Sequence, residues 1–92
     1  MRARKTDTNQ AALVKQMRKI GLSVFITSGV GDGFLDIVAG IRGINYLFEI
    51  KDPDKCPSAR KLTQDEQDFF NSWKGQVHKV ETIDDVIKII KH

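Results

Sequence analysis

The sequence predicts an α/β domain, a mixed sheet flanked by helices in the order α-β-β-β-α-β-α, closing on a C-terminal helix. Three observations carry this. Amphipathic runs at helical spacing alternate along the chain with short β-branched and aromatic runs. Two of the strand-like runs meet at "IRG", residues 41–43, where a tight hairpin turn fits. The 92 residues, 40% of them hydrophobic, suffice for one compact core and not for two, so residues 1–92 form a single domain.

Each element has a local reason. Residues 8–20 place Leu13, Val14, Met17 and Ile20 on one helical face, with Asp7 or Thr8 as the N-cap and Gly21 as the stop. "SVFIT", 23–27, is the first strand, bounded by Gly21 and by "SGVGDG". The next two strands cover roughly 34–40 and 45–51. Both prolines fall in 52–61, which has no periodicity and reads as a loop. Thr63 followed by Glu66 forms a capping-box pattern, opening a second helix whose Phe69, Phe70 and Trp73 share a face read as core. Gly75 ends that helix. "QVHKVE" alternates as a fourth strand, and "TIDDVIKIIKH" forms a last helix with Ile83, Val86, Ile87 and Ile90 on one face.

Composition excludes several classes of function. No apolar run approaches the roughly 20 residues that cross a bilayer, and "MRARKTDTNQ" lacks the apolar segment of a signal peptide, so a soluble, intracellular, cytoplasmic protein is expected. The one cysteine, Cys56, has no partner for an internal disulfide, which suits a reducing compartment. Cys56, His78 and His92 lack zinc-ligand spacing. "GVGDGF" has Phe34 where a dinucleotide-binding loop needs its third glycine, and no Gly-Lys-Ser/Thr follows. Net charge is only +3, yet the cations cluster: Arg2, Arg4 and Lys5; Lys15, Arg18 and Lys19; Lys55, Arg60 and Lys61. Such clusters either keep a surface solvated or neutralise phosphates.

Two acids interrupt the apolar pattern of the hairpin strands. If Arg42 and Gly43 form the turn, counting outward sets Asp36 directly opposite Glu49, on one face, with Cβ atoms roughly 5 Å apart. Lys51 projects from the same face, while Leu35, Ile37, Phe48 and Ile50 point into the core. A three-residue bulged turn would shift this register. Like charges so placed need a cation between them. Two carboxylates with the Ile50 carbonyl make an oxygen site for Mg²⁺ or Mn²⁺, where Lys51 could orient water or stabilise charge on a phosphate. The competing reading is a surface hairpin with a cross-strand Lys–Glu pair and a solvated Asp36.

Asp36, then Glu49-Ile50-Lys51 on the following strand, within this element order, resembles the PD-(D/E)XK nuclease superfamily and its restriction-endonuclease-like αβββαβ core. The likeness covers nearly the whole chain. It is greatest to the VRR-NUC and archaeal-type Holliday junction resolvase branch, where a basic loop and a helix opening with "LT", here Leu62-Thr63, follow the "E-x-K" strand. The resemblance implies that Asp36 and Glu49 bind the metal and that Lys51 is the catalytic lysine. It places Gln10 where relatives carry an acid on the first helix, and Leu35 where the signature has proline. Glu66 or Gln67 could lean on the site, although capping alone accounts for Glu66. Ser28 could contact DNA, or simply sit in a turn; Asp32 and Asp52 flank the site in loops. The implied activity is a metal-dependent, structure-specific DNA endonuclease. Symmetric two-strand cutting needs two centres, hence a homodimer, with Arg2, Arg4, Lys5, Ser28, Lys55, Arg60 and Lys61 facing the DNA. The alternatives are a nickase or cutter of ordinary duplex, a catalytically silent nucleic-acid-binding module on the same fold, or a small interaction domain. The small stand-alone format is common in phage genomes for this family.

Overall fold

A computed structural model describes residues 8–31 and 34–91. Helix α1 spans Thr8–Lys19, strand β1 Ser23–Ile26, β2 Ile37–Ile41 and β3 Ile44–Ile50. A 3₁₀ turn over Pro57–Arg60 precedes α2, Gln64–Ser72; β4, Val77–Val80, and α3, Ile83–Ile90, complete the chain. The expected element order is present, with the 3₁₀ turn inside what the sequence offered only as loop. Proline at its first position supplies the fixed φ that such a turn tolerates.

The four strands lie in sequence order, β1-β2-β3-β4. The first three pair antiparallel and β4 joins β3 in parallel, so the sheet is mixed. The β2–β3 hairpin closes through two residues, Arg42 at φ 53° and Gly43 at φ 79°. Positive φ at both positions marks a type I′ turn, whose twist matches the strands it joins. No bulge intervenes: Ile41 pairs with Ile44, and the register runs without a break to Ile37 opposite Phe48.

Helix α1 ends in a Schellman motif. The Leu22 amide donates to the Met17 carbonyl at 3.0 Å and the Gly21 amide to Arg18 at 3.1 Å, with Gly21 at φ 108°. Helix α3 opens on a capping box made by Thr82 and Asp85. One core unites α1 (Leu13, Val14, Met17), the sheet (Ile37, Ala39, Tyr46, Phe48, Ile50, Val80) and α3 (Val86, Ile90), so both helices cover one face. Leu35 is fully buried but lies outside that cluster.

Three expectations are corrected. Strand β2 begins at Ile37 rather than 34. Ile20 is exposed, because it falls in the turn after α1 instead of on the helical stripe. Most importantly, α2 has no buried residue: Phe69 and Phe70 are half-buried and Trp73 is exposed. Its aromatic stripe packs mainly on itself and on Phe34, with Phe69 edge-on to Phe34 at 5.5 Å and stacked on Trp73 at 5.0 Å. The helical period announced an apolar face, but α1 and α3 had already filled the main core.

Candidate active site

The face of the sheet turned away from α1 and α3 carries the acids. The paired register ends at Ile37 opposite Phe48, and Asp36 and Glu49 are the next residues along the two strands. The regular ladder ends at Ile37; beyond it the Asp36 amide still donates to the Phe48 carbonyl, at 3.2 Å and outside the ladder pattern, and its carbonyl accepts from Thr27 at 2.8 Å. The Asp36 side chain then folds onto β3, where Oδ2 accepts the Ile50 amide at 2.8 Å. That bond fixes the carboxylate beside Glu49, which is itself buried.

The backbone adds a donor atom. Leu47 and Lys51 aim their amides at β4, bonding Gln76 and Val80. Residues of a strand turn their polar groups to alternate neighbours, so Ile50 presents its carbonyl on the Asp36 side.

Lys51 sits among carboxylates. Its Nζ lies 2.9 Å from Glu66 Oε1 and 3.6 Å from Glu49 Oε2. Glu66 belongs to α2, so the helix left out of the main core reaches the opposite face of the sheet and delivers a third acid. Glu66 also makes the predicted capping box, accepting the Thr63 amide at 2.8 Å while its own amide donates to Thr63 Oγ1 at 3.2 Å. Capping therefore accounts for only part of its role.

This crowding sets the protonation states. Burial, then the charge of Asp36, then Glu66, push the Glu49 carboxyl from 4.5 up to about 9, and Lys51 only partly offsets them. Asp36 is raised as well, chiefly by burial, against the Ile50 amide that favours its charged form. Burial alone would raise Glu66, but the Thr63 amide and Lys51 outweigh it and hold the carboxyl below the usual range. Burial disfavours the Lys51 charge, yet Glu66, Glu49 and Asp36 together raise its pKa.

A buried pair of carboxyls that keeps a proton near neutral pH is a place where a divalent cation can take the proton's place. Asp36, Glu49 and the Ile50 carbonyl fit a hard, oxygen-preferring ion such as Mg²⁺ or Mn²⁺. Among the described residues no group of three or more His, Cys, Asp or Glu side chains is arranged to enclose a metal.

Other candidates fall at varied distances from this centre. Gln10 is buried, but its Nε2 donates to Ser28 Oγ at 3.4 Å and it makes no hydrogen bond to the acids or Lys51. Its side chain lines a groove between α1 and β1 together with Val14 and Ile26. Asp52 accepts the Asp54 amide within its own turn. Lys55 and Lys61 are exposed, whereas the Arg60 guanidinium donates to the Pro53 carbonyl at 3.0 Å and braces the loop. Arg2, Arg4, Lys5 and Asp32 lie outside the described residues.

Sequence reasoning missed Asn9. Its Nδ2 donates to the Lys51 carbonyl at 2.8 Å and to Glu81 at 3.3 Å, joining the C-terminal ends of β3 and β4 just where Lys51 leaves the sheet. A polar residue beside Gln10 in the first turn of α1 was the available signal. Comparison of the chain with protein-family models, curated proteins and solved structures gives no match, so the functional argument rests on the site.

Proposed function

We propose that this chain is a Mg²⁺- or Mn²⁺-dependent DNA endonuclease of the PD-(D/E)XK type, hydrolysing phosphodiesters at branched junctions as a homodimer inside a bacterial or phage-infected cell. The observation that supports it best is the close set of Asp36, Glu49 and Lys51 on one sheet face, with the Lys51 ammonium 3.6 Å from Glu49. A metal held by Asp36, Glu49 and the Ile50 carbonyl would polarise a phosphate oxygen and acidify a bound water. Through such an ion Asp36 and Glu49 would hold the phosphate against Lys51. The Lys51 ammonium donates a hydrogen bond to the phosphate oxygen that gains negative charge as water attacks phosphorus and the P–O bond to the leaving strand breaks. The attacking water gives its proton to solvent, and the leaving oxygen takes one from solvent. Asn9 holds the Lys51 backbone, and Gln10 supplies a neutral side chain where the family resemblance expects an acid.

The test uses a labelled four-way junction, a matching duplex and a single strand, each with Mg²⁺ and with EDTA. The proposal expects Mg²⁺-dependent cleavage that favours the junction and is lost in Lys51→Ala. Equal cleavage of all three substrates would remove junction specificity, and cleavage persisting in EDTA would overturn the mechanism. Junction binding without cleavage by the wild type would instead mark a silent binding module. Titration with Mn²⁺ by calorimetry separately tests the metal site, which is wrong if Asp36→Ala binds as well as the wild type does.

A further inference from the structure

Lys51 is held more tightly by an acid that is no part of the proposed metal site than by one that is. Its Nζ is 2.9 Å from Glu66 Oε1 and 3.6 Å from Glu49 Oε2. The same Glu66 oxygen accepts the Thr63 amide at 2.8 Å, so one carboxylate closes the first turn of α2 and ties down the lysine at once. The Lys51 and Glu66 side chains are only 13% and 17% exposed, which shields the pair from the competition with water that makes most surface ion pairs weak. A lysine ammonium has three protons and rotates freely unless its acceptors fix it. Glu66 takes one of those directions; Glu49, at 3.6 Å, is an ion-pair neighbour beyond hydrogen-bonding distance, so the remaining protons are left for whatever occupies the Asp36–Glu49 face.

We propose that Glu66 is the positioning residue for Lys51, tethering the ammonium so that a free proton points at the bound phosphate. Its consequence for cutting rests on the nuclease proposal; the tether itself does not. The geometry also makes the lysine's placement depend on the docking of α2. That helix has no buried residue, and its first turn is joined to the sheet through this ion pair. A side chain with four rotatable bonds, released from Glu66, would spread over several rotamers and lose its aim.

The α3 capping box provides a matched control. Asp85 caps α3 as Glu66 caps α2, but its carboxylate accepts from the amides of Glu81 and Thr82 and makes no hydrogen bond or ion pair with Lys51. Glu66→Ala, Glu66→Gln and Asp85→Asn are compared by steady-state cleavage and by NMR relaxation of ¹³C-labelled Lys51 side-chain carbons. Glu66→Ala is expected to lower kcat about a hundredfold with KM little changed, because misaiming a catalytic group costs about that much without touching substrate affinity. Glu66→Gln, which keeps a neutral acceptor, should recover roughly tenfold of that loss. The Lys51 terminal carbons should become mobile in Glu66→Ala and remain ordered in Asp85→Asn, whose kcat stays at the wild-type value. An equal fall in kcat for Asp85→Asn, or a Lys51 as ordered in Glu66→Ala as in the wild type, would overturn the proposal and reduce Glu66 to a cap. If the wild type cuts nothing while Lys51 still loosens in Glu66→Ala, the tether stands and the nuclease proposal falls.

Discussion

Glu49 is the residue at which stability and the proposed metal binding meet. Its carboxyl titrates at about 9 in the folded chain and at 4.5 when unconstrained, so between these values the folded state holds a proton that the unfolded state has released. The stabilising contribution is fully present below 4.5 and is lost as pH rises through 9. Metal-free protein should therefore melt at progressively lower temperature across that window, and Glu49→Gln, which cannot ionise, should flatten the decline. Loading with Mn²⁺ replaces the proton, so the decline should also vanish in the metal-bound protein. The Mn²⁺ affinity should itself rise by up to about tenfold per pH unit until Glu49 is ionised, because each ion bound displaces one proton. Calorimetry in buffers of different ionisation enthalpy would count that proton, and an affinity independent of pH would place the ion elsewhere.

Among the elements, the hairpin matters most for the site because its turn sets which side chains meet. Gly43 sits at φ 79° with open space around the position a Cβ would take, so its replacement adds backbone strain and no clash. Gly43→Ala should cost about 1 kcal/mol, read as a lower urea midpoint at unchanged slope, while Mn²⁺ binding survives because the register survives. This turn was legible in advance: alternating apolar residues on both sides of Arg42-Gly43 leave few registers that bury Ile37, Phe48 and Ile50 together. Helix α2 was legible in period and cap but not in burial. Periodicity shows that a helix has an apolar side, whereas burial depends on whether other elements have already claimed the core, a property of the assembled chain. For the same reason Asn9 escaped notice, since its partners, the carbonyls of Lys51 and Glu81, lie 42 and 72 residues away.

At the scale of the whole molecule, the question is which cations remain free for phosphates. Net charge is only +3, so any affinity for DNA must come from how the charges are placed. Several basic groups are already committed: Lys51 to Glu66 and Glu49, the Arg60 guanidinium to Pro53, Lys79 to the Arg60 carbonyl, Arg18 to Val24 and Arg42 to Ile90. Lys55 and Lys61, exposed on the loop that leads from Lys51 to α2, are better placed to contribute counterion release. Each phosphate neutralised adds close to one unit to the dependence of log K on log salt, about 0.9 for duplex DNA. Lys55→Ala and Lys61→Ala should each weaken junction binding and reduce that slope by about one unit. Arg60→Ala should leave the slope nearly unchanged and instead loosen the loop, seen as faster amide exchange around Pro53, because its side chain already serves the fold. Equal slopes for the wild type and for the double variant at Lys55 and Lys61 would remove this loop from the DNA-binding surface.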